Sequence, residues 1–122
     1  MNKQERIKKI EIENKIWLIY ILIIAISYYA NYLEKEYFET NNIKKKEKYR
    51  KLNAFVFIIL IVIYSYFEND AISEFFKVNK SKQKEKYDTL ILIGTTAVLI
   101  SGLIFLYIIL EDNELLEEIA FN

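Results

Sequence analysis

The sequence predicts an all-α, integral membrane three-helix bundle whose helices project beyond the bilayer. Three charge-free runs carry this prediction, at residues 16–33, 52–67 and 89–110, although 28% of all residues are charged. About 20 apolar residues in a helix cross a hydrocarbon layer roughly 30 Å thick. There is no proline, and both glycines lie inside the third run, so nothing forces the helices to stop at the membrane surface. We therefore expect one three-span domain over residues 1–122.

The first element is an amphipathic lead-in that continues into the first span. Ile7, Ile10 and Ile12 stand among the charged residues of segment 1–15. A cleaved secretory signal also places basic residues before an apolar run, but here glutamates are mixed with the lysines, the apolar run is long, and residues 26–32 contain no pair of small residues at an Ala-x-Ala spacing. We therefore expect this run to be retained as a span.

The second run is short for a span, because 16 helical residues cover only about 24 Å. Arg50 and Lys51 can extend their side chains to the surface at one end. Residues 71–78 can prolong the helix along the interface at the other, to about residue 76. The second element is therefore predicted to span with help from both flanks.

The third run has no polar face, whereas a helix of a soluble bundle normally keeps one. This run therefore favours the membrane over a water-soluble bundle. Asn, Asp and Ser predict turns near residues 40–42, 68–70, 79–81 and 111–113. A short C-terminal helix over about 113–121 completes the predicted elements.

The positive charges predict the orientation. Ten Lys and Arg residues lie in the N-terminal segment and the second loop, against seven in the first loop and none in the C-terminal segment. Because cytoplasmic segments carry the excess of Lys and Arg, the N-terminus is expected in the cytoplasm of a multi-pass protein of the cell membrane.

The third run also carries a predicted helix-packing face of small residues, which lets another helix approach closely in lipid. The partner helix can belong to the same chain or to another copy. The face comprises Gly94, Ala97, Ser101 and Gly102.

The first two runs carry a thin polar stripe at helical spacing. Such a stripe can line a wet lumen, although hydrogen bonds between helices are the interpretation that the spacing favours. The stripe comprises Tyr20, Ser27 and Asn31 in the first run and Asn53 and Tyr64 in the second.

The densest basic cluster follows the first span. Such clusters attract anionic lipid headgroups at about 1 kcal/mol per basic residue, which makes lipid a better ligand than nucleic acid beside a membrane. The cluster can also contact the acidic tail, since in a three-span protein the first loop and the C-terminus share a side. The basic residues are Lys44, Lys45, Lys46, Lys48, Arg50 and Lys51, and the acidic tail residues are Glu111, Asp112, Glu114, Glu117 and Glu118.

Several function classes are disfavoured. The chain has neither His nor Cys, so no serine has a histidine to activate it and a zinc site of the usual ligands cannot form. Glu34, Glu36 and Glu39 are expected on a solvated face paired with lysines, rather than as catalytic groups. No Asp, Glu, Lys, Arg or His lies inside the three runs, which argues against a self-sufficient ion-coupled transporter. We expect no enzymatic activity, no cofactor or metal, and no small-molecule substrate.

Three spans in a short chain with a charged tail are similar in outline to three-span phage holins and to small membrane effectors of bacterial anti-phage systems. The similarity lies in architecture and rests on no motif, so it assigns no functional residue. It implies a protein that self-associates and permeates or perturbs the membrane. The alternatives are an accessory or anchoring subunit of a larger membrane complex, and an immunity-type membrane protein.

Overall fold

The computed structural model describes residues 2–111, and these residues confirm the predicted all-α class. They form three helices: α1 (Lys3–Thr40), α2 (Ile43–Phe75) and α3 (Lys82–Glu111). Each helix contains one of the three charge-free runs and continues beyond it. The short helix predicted over about 113–121 lies outside the described residues.

Asparagines set both ends of α1. The Asn2 side chain accepts a hydrogen bond from the Glu5 backbone N–H at 2.8 Å, which satisfies an amide of the first helical turn. At the other end Asn41 adopts the left-handed conformation, with φ at 55°, and its N–H donates to the Tyr37 carbonyl at 2.7 Å. Asparagine reaches this conformation more readily than most residues. The helix therefore ends within the turn predicted at residues 40–42.

Polar side chains also set the starts of the next two helices. The Asn42 Oδ1 atom accepts from the Lys44 N–H at 3.0 Å at the start of α2. The Ser81 Oγ atom accepts from the Lys84 N–H at 3.1 Å at the start of α3. Both are N-cap contacts, which short polar side chains make before a helix. The turns predicted at residues 40–42 and 79–81 are confirmed.

The turn predicted at residues 68–70 is wrong, because α2 continues through these residues to Phe75. Asn and Asp weaken a helix interior by less than about 1 kcal/mol each, far less than proline would. Glu68 also accepts two hydrogen bonds from α3, which fixes this part of α2 against its neighbour. The two polar residues after Glu68 are therefore too weak a signal to end the helix.

The chain divides into two compact units, with the boundary between Val56 and Phe57 inside α2. In the described residues, the first unit contains α1 and the beginning of α2. The second unit contains the rest of α2 and α3. The prediction of a single three-span domain stays a prediction.

The first unit packs α1 against the beginning of α2 around Ala30, Leu33 and Tyr49, which are buried. Tyr37 and Leu52 pack against this cluster, and the ring centroids of Tyr37 and Tyr49 are 6.2 Å apart. Ala30 leaves room for the large Tyr49 side chain, which is fully buried. This buried cluster is therefore small, and its residues come from the parts of α1 and α2 that flank the turn between the helices.

The second unit packs the rest of α2 against α3 through a close contact at Gly102. A Cβ atom on Gly102 would lie 3.2 Å from the Tyr64 ring and 3.4 Å from the Ile61 side chain. The Phe57 and Phe105 rings meet nearby, with centroids 5.9 Å apart. Glycine therefore lets the Tyr64 ring lie almost on the backbone of α3.

Most of the apolar surface of the helices faces outward. All three helices are long and apolar enough to cross a membrane, and only 6% of the most apolar 18-residue window of α3 is buried. Soluble monomers rarely expose contiguous apolar patches of this extent. An exposed apolar surface that follows whole helices fits a hydrocarbon surrounding.

We predict that Gly102→Leu destabilises the second unit. The leucine must displace the Tyr64 ring, and overpacking of this kind typically costs about 1–3 kcal/mol. Thermal unfolding of the detergent-solubilised protein, followed by circular dichroism, measures the effect. Ile100→Leu, a volume-conserving change at an exposed position of α3, is the control and should leave the unfolding temperature unchanged. Equal unfolding temperatures for Gly102→Leu and the parent would contradict the packing assigned to Gly102.

Candidate functional sites in the helices

The predicted helix-packing face divides into two parts. Gly94, Ala97 and Ser101 are exposed, whereas Gly102 is buried against α2. At 100° per residue Gly102 lies about 80–140° around the helix from the other three. Gly102 therefore serves the packing of α3 against α2 within the chain, and the other three residues lie on a separate side of α3.

The exposed part is open for another helix. A Cβ atom on Gly94 would meet no atom of the described residues within 4 Å. Large apolar side chains flank this part on both sides, among them Leu90 at 54%, Val98 at 46% and Ile104 at 53% exposure. Small residues between large apolar neighbours form a shallow groove in which the backbones of two helices can come close. We call Gly94, Ala97 and Ser101 the open small face.

The residues of the predicted polar stripe differ in burial. Tyr20 and Ser27 are half-buried and Asn31 is exposed. Asn53 is buried in the first unit, and its side chain makes no hydrogen bond within the described part of the chain. Tyr64 belongs to the second unit, where its ring packs on Gly102. The wet-lumen interpretation stays a prediction.

Part of the basic cluster is engaged with α1. Lys45 forms an ion pair with Glu36, and Lys48 donates a hydrogen bond to the Tyr29 hydroxyl at 3.0 Å. The Lys45 ammonium, which donates a hydrogen bond to the Glu36 carboxylate, lowers the pKa of that carboxyl. These contacts tie the basic cluster to the end of α1.

The remaining basic side chains differ in exposure. Lys46 lies over the Tyr37 ring, with the ammonium 5.3 Å from the ring centroid. Arg50 is half-buried, whereas Lys44 and Lys51 are exposed. Among the described residues, Lys44 and Lys51 are therefore the members of the cluster best placed to meet lipid headgroups.

The carboxylates after the first run differ from one another. Glu34 is buried and has an interaction partner. The prediction that Glu34 lies on a solvated face is therefore wrong. Glu34 directly follows the buried Leu33 and lies one helical turn after the buried Ala30, so it lies on the packed side of α1. Glu39 pairs with Lys35 across one helical turn, with both side chains exposed.

The predicted contact between residues 44–51 and the acidic tail remains a prediction. Glu111 is exposed at the end of α3. Asp112, Glu114, Glu117 and Glu118 lie outside the described residues.

The sequence reasoning missed an ionic network at the connection between α2 and α3. The buried Lys80 ammonium donates to the Asp88 carboxylate at 2.8 Å and to the carbonyls of Glu74 and Phe75. Lys84 reaches both Asp88 and Glu74. Lys80 thus satisfies carbonyls at the end of α2 while it neutralises the buried Asp88.

The lysines around these two carboxylates lower the pKa of both. The Lys80 ammonium, as a hydrogen-bond donor, lowers the pKa of Asp88, and Lys84 acts in the same direction. Hydrogen bonding from Lys77 lowers the pKa of Glu74 to about 2. We call Glu74, Lys80, Lys84 and Asp88 the loop network.

A second missed contact joins Glu68 to α3. The Thr95 hydroxyl donates to the Glu68 Oε2 atom at 2.7 Å, and the Thr96 hydroxyl donates to Oε1 at 2.6 Å. Glu68 directly follows the second charge-free run, yet it lies level with residues well inside the third run. A carboxylate at the edge of one run and adjacent hydroxyls inside another were the available signal.

The described residues contain no group of three or more His, Cys, Asp or Glu side chains that could hold a metal ion. No protein-family model, curated protein or solved structure matches the chain.

We predict that acid weakens the second unit through the loop network. Carboxylates with a lowered pKa in the folded state stabilise it above their ordinary pKa near 4, and this contribution is lost as the pH falls through the folded value. For Glu74 the window extends down to about pH 2. The unfolding temperature in detergent should therefore fall across this window.

Asp88→Asn should lower the unfolding temperature at neutral pH, because Lys80 then lacks its charged partner. It should also make the unfolding temperature less dependent on acid, because the Asp88 carboxylate is no longer there to be protonated. Glu85→Gln is the matched control, since Glu85 is exposed and makes no ion pair within the described residues. An Asp88→Asn profile parallel to that of the parent would contradict a stabilising role for this network.

Proposed function

We propose that this chain is a small multi-pass protein of the cell membrane that self-associates through the open small face and perturbs or permeates the bilayer. The observation that carries the proposal is the exposure of Gly94, Ala97 and Ser101 on α3. The helix that bears them is also the most apolar and least buried of the three.

The physics of helix association in lipid supports this function. Lipid tails solvate leucine as well as protein does, so burial of large apolar side chains alone gives little drive for association. Close approach of backbones at small residues restores strong van der Waals contact. The second unit already uses Gly102 in this way. The open small face offers a similar surface that the described residues leave uncovered.

The charged ends support placement in a bilayer. The excess of Lys and Arg in the N-terminal segment and the second loop favours a cytoplasmic N-terminus. Lys44 and Lys51 are exposed for anionic headgroups beside the membrane. Lipid is therefore the proposed partner of the basic cluster, ahead of nucleic acid.

The second candidate is an accessory or anchoring subunit of a larger membrane complex. The observation that favours it is the N-terminal part of α1, which continues the helix ahead of the first run. Ile7 and Ile10 there are 45% and 46% exposed among charged side chains. Such a surface can recruit a soluble protein. In this candidate function, the open small face would pack against a helix of the larger membrane complex.

We predict that Gly94→Leu reduces self-association without unfolding the protein. The leucine has open space in the single chain, but it separates two helices that meet at this face. The mass of the detergent-solubilised protein should fall towards that of one copy, and membrane depolarisation on expression should be lost.

Ile93→Leu, a volume-conserving change at an exposed neighbouring position, should retain both properties. A parent protein that is strictly monomeric would contradict the proposal. A harmless protein that co-purifies in fixed ratio with another membrane protein would favour the anchoring subunit.

A further inference from the structure

The contact between Glu68 and α3 lies away from the charged end of the second unit. The loop network marks that end, with Glu74 on α2 and Asp88 on α3. Glu68 precedes Glu74 by six residues and Thr95 follows Asp88 by seven. At 1.5 Å per residue these separations are about 9 Å along α2 and about 10.5 Å along α3. If the loop network lies at the aqueous surface, the Glu68 carboxylate lies well below it.

The charge of Glu68 has no basic partner in the part of the chain that the structure describes. Its side chain accepts hydrogen bonds from the hydroxyls of Thr95 and Thr96, one on each carboxylate oxygen. Each oxygen keeps a further lone pair, and the hydroxyl oxygens keep theirs. The carboxylate is therefore oriented by two neutral donors while its charge remains unbalanced.

The surroundings of this carboxylate supply little other charge. On α3 the polar groups in contact with Glu68 are the two threonine hydroxyls, and the nearest charged residue along that helix is Asp88. On α2 the nearest charged residue is Asp70, which has an interaction partner of its own. An unbalanced charge is costly at membrane depth, and ionisable groups there are typically tied to ion or proton binding.

We propose that Glu68, Thr95 and Thr96 form a membrane-embedded site for one monovalent cation, either a proton or an alkali-metal ion. The cation balances the single negative charge and exchanges with the aqueous side that bears the loop network. A divalent ion is disfavoured because one carboxylate supplies one charge, and the described residues contain no carboxylate cluster. The site needs the chain to lie in a membrane but does not need self-association.

The test is modification of the parent protein in phosphatidylcholine vesicles with a hydrophobic carbodiimide, which reacts with protonated carboxyl groups. The reagent adds to the acid, and mass spectrometry of peptides locates the adduct. We expect Glu68 to be labelled and the label to be lost in Glu68→Gln. If the cation is a proton, labelling should fall about tenfold for each pH unit above its midpoint.

If an alkali-metal ion competes for the site, sodium, potassium or lithium chloride should protect Glu68 at fixed pH, and choline chloride at equal ionic strength should not. Thr95→Val and Thr96→Val should shift the midpoint or the protecting salt concentration. Thr89→Val is the matched control, because the Thr89 hydroxyl donates to the Glu85 carbonyl and not to Glu68.

Two results would overturn the proposal. One is labelling of Glu68 by a membrane-impermeant carbodiimide as readily as by the hydrophobic reagent, which would place the acid at the aqueous surface. The other is an extent of Glu68 labelling, including none at all, that changes with neither pH nor salt. The contact would then serve only to hold α2 against α3. Neither result bears on the open small face, so self-association would remain separately testable.

Discussion

The main constraint on the structure is that three long, charge-free helix surfaces stay exposed, which suits a surrounding of hydrocarbon and not of water. A chain in hydrocarbon must satisfy its backbone polar groups internally, and an uninterrupted helix does so over its whole length. The absence of proline and the capping by Asn2, Asn42 and Ser81 allow three such helices. Their apolar side chains can then remain exposed, as most of those on α3 are. In water the same surface would drive aggregation.

The polar contacts follow from the same constraint. Most of them lie where the helices leave the apolar runs, as in the ion pair of Lys45 with Glu36 and in the loop network. At these ends, charges can pair and also meet water. Glu68 is the exception, because its helix partners are hydroxyls and not cations. Packing between helices pairs a small residue with a large one, as with Ala30 beside Tyr49 and Gly102 against the Tyr64 ring.

The sequence predicted the helices and two of the turns because these follow from local composition. Hydrophobic runs fix the helices, and Asn42 and Ser81 fix their starts. It failed at residues 68–70, where a contact 27 residues away along the chain outweighs local propensity. The sequence also could not show that Gly102 packs within the chain whereas Gly94 stays exposed. A helical plot shows which residues share a face but not which face meets a neighbouring helix. Both the continued helix at residues 68–70 and the different roles of the two glycines depend on how neighbouring helices are aligned, which local composition does not show.

Cysteine accessibility tests the hydrocarbon surrounding most directly, because the chain has no native cysteine. Single cysteines at Ile93, Val98 and Ile100, all exposed on α3, would be compared with one at Lys82 in reconstituted vesicles. A membrane-impermeant thiol reagent should modify the Lys82 position and leave the three α3 positions unmodified until detergent is added and the protein denatured. Rapid modification of all four positions, with the reagent present both inside and outside intact vesicles, would contradict placement of α3 in the membrane.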